Sequence, residues 1–230
     1  MPDGPHISGS FDNALHSLRN NVLMMSRLTE RNIANAAKGL FDRDSDLSNV
    51  VIADDEEIDL LEIQIDRDGV ETLLRFQPVA SDLRRVVTAM KSSVNIERIA
   101  DQAVNIARRS RKLNAEPALP IVHALEPMFA HATNMFGDAI RAYADDNADI
   151  GRSLKARDRE LDELNRKFAE ACTERMAAEP HAIQRYLNLI FIARFIERIG
   201  DHATNLGEDI VYSVAAEEIR HTQAAPVSVD

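Results

Sequence analysis

The stretch Ile96-Glu97-Arg98-Ile99-Ala100-Asp101-Gln102-Ala103-Val104-Asn105 returns later in the chain as Ile196-Glu197-Arg198-Ile199-Gly200-Asp201-His202-Ala203-Thr204-Asn205. Seven of the ten positions are identical, and both copies keep the spacing Glu-x-x-x-Asp-x-x-x-Asn. A helix brings residues four apart onto one face, so each copy draws a line of Glu, Asp and Asn along one side. Beside that line runs an apolar stripe at helical spacing: Ile96, Ile99, Ala103 and Ile106, then Ile196, Ile199, Ala203 and Leu206. The acidic lines therefore border a packed face. A chain built around two such helices reads as an internal duplication.

The repeat reaches upstream. Asp55-Glu-Glu-Ile-Asp59 lies on the helix before the first motif, and Asp158-Arg-Glu-Leu-Asp162 on the helix before the second. The spacing to the motif is slightly longer in the first copy, which puts a loop insertion in Pro78-Val-Ala-Ser-Asp82. No segment alternates with period two long enough to be a strand. The apolar pattern predicts three long helices, a linker at Ala115-Glu-Pro-Ala-Leu-Pro120, and three more. The fold class is all-α, two tandem homologous three-helix bundles over residues 1–115 and 116–230.

The helix ends carry their own signals. Gln77-Pro78 and Glu179-Pro180 stop the second and fifth helices, because proline disfavours helical geometry in the residue before it. Ser81 and Asp82 offer a cap for the third, Asp149 or Ile150 opens the fifth, and Thr222 to Asp230 read as a frayed tail. The second helix is expected to turn Val50, Val51, Ile58, Leu61, Ile65, Leu73 and Leu74 inward.

An acidic i,i+4 pair on each of two antiparallel helices gathers four carboxylates around one point in each half. Such a set suits hard cations like Mg²⁺, Mn²⁺ or Ca²⁺, and iron when histidine or bridging water joins. The plain alternative is a solvated charged face. Retention of Glu, Arg, Asp and Asn in both copies favours the metal. Asn105 and Asn205 are candidate carbonyl ligands or inter-helix bonds, and His202 stands where the first copy has Gln102. Glu208-Asp209 replaces Arg108-Arg109, so the second line is expected to hold a cation more strongly. Glu-x-x-His, the signature of ferritin-like di-iron bundles, occurs only as Glu218-Ile-Arg-His221 near the end.

Other classes recede. A net charge of −11 argues against a nucleic-acid surface. No nucleophile–base constellation or phosphate-cradling loop emerges, so no enzyme is expected. Arg84-Arg85, which the second half lacks, suits ion pairing more than a phosphate contact. The single cysteine, Cys172, fits a reducing cytosol and a buried position. No targeting segment is expected at Met1-Pro-Asp-Gly-Pro-His6, and Tyr186 to Ala193 is too short to span a membrane. Membrane association would come through partners.

Two Glu-Arg-Ile-(Ala/Gly)-Asp-x-Ala-x-Asn motifs, each preceded by an Asp-x-x-x-Asp helix, together with Gln77-Pro78 and Asp82-Leu83-Arg84, resemble the PhoU family over roughly Phe11 to Val214. The resemblance implies two side-by-side three-helix bundles. It implies a cytoplasmic regulator of phosphate uptake that works with the ATPase of a phosphate ABC transporter and a sensor histidine kinase, as a homodimer. It also implies the multinuclear iron or zinc that some members hold on these carboxylates, so that with the donor-set reading the expected cofactor is a divalent or multinuclear metal: iron, zinc, manganese or magnesium. The ligands would be Asp55, Asp59, Glu97 and Asp101 in one half and Asp158, Asp162, Glu197 and Asp201 in the other. Ala100 stands where glycine is common in the family. A carboxylate-site metal-storage or metal-dependent redox bundle is the alternative.

Overall fold

The computed structural model describes residues 4–220, so the tail from Thr222 and the Glu218–His221 motif's histidine lie outside the described residues. Seven α-helices follow one another: α1 Gly4–Phe41, α2 Ser45–Ala53, α3 Asp55–Phe76, α4 Ala80–Asn114, α5 Glu126–Ala144, α6 Ala148–Ala178 and α7 Ile183–Ala215. Among the described residues there is no strand. The helices α1, α3 and α4 pack as one bundle, with α2 across α1 and α4; α5, α6 and α7 pack as the second.

The expected apolar stripes are the core. Ile96, Ile99, Ala103 and Ile106 are fully buried, as are Ile196, Ile199, Ala203 and Leu206. Removing this surface from water supplies the main drive for the bundles. Cys172 is buried as expected.

Several helix ends differ from expectation. The second helix divides at Asp54, and its opening cap is Asp44, whose side chain accepts from the amides of Asp46 and Leu47. Helix α4 starts at Ala80 after extended Val79 without a side-chain cap. Ser81 and Asp82 thus lie in the first turn, where the Asp82 charge meets the positive end of the helix dipole. A 3-10 turn, Pro120–Leu125, precedes α5, because Pro127 lacks an amide and fits only the first turn. Asn147, not Asp149, caps α6. Leu74 and Val50, expected inward, are 74% and 44% exposed.

The two halves meet along α4 and α7. Arg84 Nε donates to the Ser213 carbonyl at 3.2 Å, Lys91 Nζ reaches Asp209 at 2.9 Å, and Arg109 Nη1 donates to Asn188 Oδ1 at 2.8 Å. As the number rises on α4 it falls on α7, so the helices run antiparallel about a pseudo-two-fold axis. Arg109 also lies over the Phe191 ring, 4.0 Å from its centre. Arg85 pairs with Asp146 at 3.5 Å. The linker is pinned from both sides: Arg43 Nη2 donates to the carbonyls of Asn114 and Glu116, and Arg185 Nη1 to that of Pro117.

Candidate functional site

Each half turns its acidic lines toward each other across a helix pair, α3 with α4 and α6 with α7. In the first half, Asp55 lies within electrostatic reach of Asp59 and Asp101, and Glu97 within reach of Asp101, Asp59 and Glu62. Burial first, then these like charges, pushes the carboxyls of Asp55 and Glu97 above the usual range. Asp59 and Asp101 are exposed, and the set stays open.

The second half is tighter. One carboxylate oxygen each from Asp162, Glu197 and Asp201 lies within 4.8 Å of the others, the one such set among the described residues. Asp158 faces the same cluster, with its carboxyl raised to about 6 by burial, then by Asp201, Asp162 and Glu208. Glu197 is only 4% exposed. Burial, then Asp201, raises its carboxyl to about 7, against the pull of Arg194, which donates to Oε1. Its other oxygen, Oε2, is buried with no hydrogen-bond partner, and so is Oδ1 of Asp158. Two orphaned buried oxygens facing converging carboxylates form a donor set of the kind a hard cation takes.

The reason for the tightness is backbone approach. A Cβ on Gly207 would lie 2.8 Å from the Gly151 carbonyl oxygen, and one on Gly151 would lie 2.7 Å from the Gly207 carbonyl oxygen. Gly200 likewise clears room for Leu161, while its counterpart Ala100 keeps its methyl group. So the backbones of α6 and α7 meet at this crossing, whereas Gly69 of α3 meets α4 through the Met90 side chain. The sequence carried the signal in the Gly200 exchange, but Gly151 and Gly207 escaped it because neither stands in the doubled motif.

The remaining candidates fall outside the three-carboxylate set. His202 is half-buried near Arg98 and Arg198; burial, then those charges, lowers its imidazole to about 4, so it is neutral at pH 7. Asn205 is exposed in a cleft with Lys91, Asn95 and Glu208. Asn105 is partly buried. Asp209 adds nothing to the cluster, since Lys91 of the other half takes it, and Glu208 has Lys155 at 3.8 Å. The extra acidity of the second copy goes mainly to these contacts, with Glu208 also acting on Asp158.

The PhoU domain model matches the chain twice, over residues 22–110 and 125–210. A phosphate-specific transport system accessory protein PhoU homolog of Pseudomonas aeruginosa is 35% identical over 217 residues, which are 94% of this chain and 90% of that protein. The protein named PhoU in Escherichia coli is 32% identical over 216 residues, 94% and 90% of the two chains. The crystal structure of PhoU from Pseudomonas aeruginosa superposes with a TM-score of 0.88 at 34% identity, covering 90% of this chain and 100% of that one.

Proposed function

The chain belongs to the PhoU family, and on that premise we propose that it regulates phosphate uptake and phosphate-starvation signalling. PhoU proteins are accessory regulatory proteins and not enzymes. The reading has the chain in the cytoplasm as a homodimer, an adaptor between the ATPase of a phosphate ABC transporter and a sensor histidine kinase. The observation that carries it is the doubled domain match, joined to relatives named as accessory proteins of phosphate-specific transport. No helix among the described residues is long and apolar enough to cross a membrane, which accords with meeting the membrane only through partners such as the transporter. The test is deletion of the gene, with any paralogues, and assay of a phosphate-starvation reporter in phosphate-rich medium. The reporter is expected to switch on. Silence of the reporter together with failed iron handling would replace this reading with metal storage.

The second part of the proposal is a cation held by Asp158, Asp162, Glu197 and Asp201, with Asp55, Asp59, Glu97 and Asp101 as the weaker counterpart. Its support is the pair of orphaned oxygens and the convergence of three carboxylates. Iron, zinc, manganese and magnesium all accept carboxylate, and affinity order and cellular supply together decide between them. Elemental analysis of the purified protein is expected to find metal that Glu197→Ala and Asp201→Ala each lose at least tenfold. Equal metal in all three proteins would make the cluster an ordinary acidic face.

A further inference from the structure

Helix α3 is apolar on two opposite sides. Ile58, Ile65, Gly69 and Thr72 face the core and are buried. On the far side Leu60, Ile63, Val70 and Leu74 stand 60%, 50%, 43% and 74% exposed. These four, with Arg67 between them, recur at alternating three- and four-residue steps, the spacing of a seam that receives another helix. Val79 and Leu83, beyond the helix end, are exposed as well.

The duplication supplies the control. The same face of α6, aligned through Asp59 and Asp162, carries Glu163, Arg166, Glu170, Thr173 and Ala177. There Arg166 bonds Glu163 and Glu170, and Lys167 adds a further pair with Glu163. A solvated ion-pair network is what this position holds when nothing docks on it. Four apolar residues in its place on one half alone mark a covered surface.

Charge chooses the occupant. The stripe is bordered by Asp59 and Asp66 on one side and Glu57 and Glu71 on the other, with Glu56 at its head and only Arg67 and Arg75 opposing. An acidic rim opposes an anionic lipid surface, and a two-fold pairing of this face with itself would set Glu57, Asp59, Asp66 and Glu71 against their own copies. The rim complements a helix whose apolar seam is edged with Lys and Arg. We infer that the outer face of α3 is the docking surface for a basic-edged amphipathic helix on the transporter's ATPase subunit.

This rests on the adaptor reading, and the relatives' naming as accessory proteins of the transport system directs it to the transporter. The test is capture of the ATPase from native cells by tagged full-length chain, carrying either Leu60→Glu with Leu74→Glu or, as control, Thr173→Glu with Ala177→Glu. Circular dichroism and thermal midpoint verify that both fold, and Ile63→Gln with Val70→Gln is the milder alternative. The α3 variants are expected to lose capture at least tenfold while the α6 control retains it. Undiminished capture by the α3 variants overturns the docking surface and leaves the adaptor reading standing. Loss of kinase capture alone, or a wild-type dimer that becomes monomeric in the α3 variant by light scattering, assigns the face elsewhere and overturns it too. If wild-type protein captures neither ATPase nor kinase, the adaptor reading itself falls.

Discussion

In the presence of a chelator, Glu197→Gln is expected to gain stability over the unsubstituted protein as the pH rises from 5 to 8, on the order of 2 kcal/mol by the upper end. The Glu197 carboxyl is raised from 4.5 to about 7 in the fold, burial being the first cause and Asp201 the second. A raised carboxyl favours the folded state while it stays protonated. That contribution is whole below the unfolded value of 4.5 and is lost as the pH climbs through 7. Asp158, raised from 3.8 to about 6, adds a loss of the same sign at lower pH. His202 works the other way. With its imidazole lowered from 6.5 to about 4, it contributes stability above 6.5 that fades as the pH falls. The readout is therefore the difference between the two proteins in urea-unfolding series at each pH, which isolates residue 197. A difference that stays flat across the series would mean that Glu197 ionises freely and that the cluster is not strained. Added divalent cation is expected to cancel the high-pH penalty in the unsubstituted protein alone, because the cation takes the place of the proton.

Gly207→Val is expected to destabilise the protein by on the order of 3 kcal/mol, near the upper end for overpacking a tight core. A Cβ at that position would sit 2.7 Å from Leu154 Cδ1 and 2.8 Å from the Gly151 carbonyl oxygen. Leu154 can turn aside, but the carbonyl belongs to the backbone of α6 and can yield only if the helices part. Parting them moves Asp158 and Asp162 away from Glu197 and Asp201. Metal affinity is therefore expected to fall at least tenfold although no ligand has been touched. Denaturant unfolding and a metal titration of the folded variant measure the two effects. Unchanged affinity in a destabilised variant would show that the helix crossing does not set the cluster's geometry.

The period of the apolar residues, the proline breaks and the doubled Glu-x-x-x-Asp-x-x-x-Asn lines were open to reading because each depends on residues within a few positions of one another. Helical geometry alone places Glu197 and Asp201 on one face, and the repeat alone says that Asp158 and Asp162 belong opposite them. Which helix caps operate was less accessible, since Asp44 and Asn147 compete with several neighbouring polar residues of equal propensity. The partners of charged residues were beyond the sequence altogether. Glu208-Asp209 made the second acidic line look stronger for a cation, but Lys91 of the other half pairs with Asp209, while Arg109, at the aligned position of the first copy, meets Phe191 and Asn188. The sequence also treated α3 as having one apolar side, because a periodicity of 3.6 shows where apolar residues fall but not which neighbours remain to cover them. By itself, then, the sequence determined the helices, their duplication and the identity of the acidic lines. Only the tertiary structure decided that the second cluster closes while the first stays open, because that depends on how nearly two backbones approach, and a crossing of Gly151 with Gly207 is made by packing between helices rather than by any local preference of the chain.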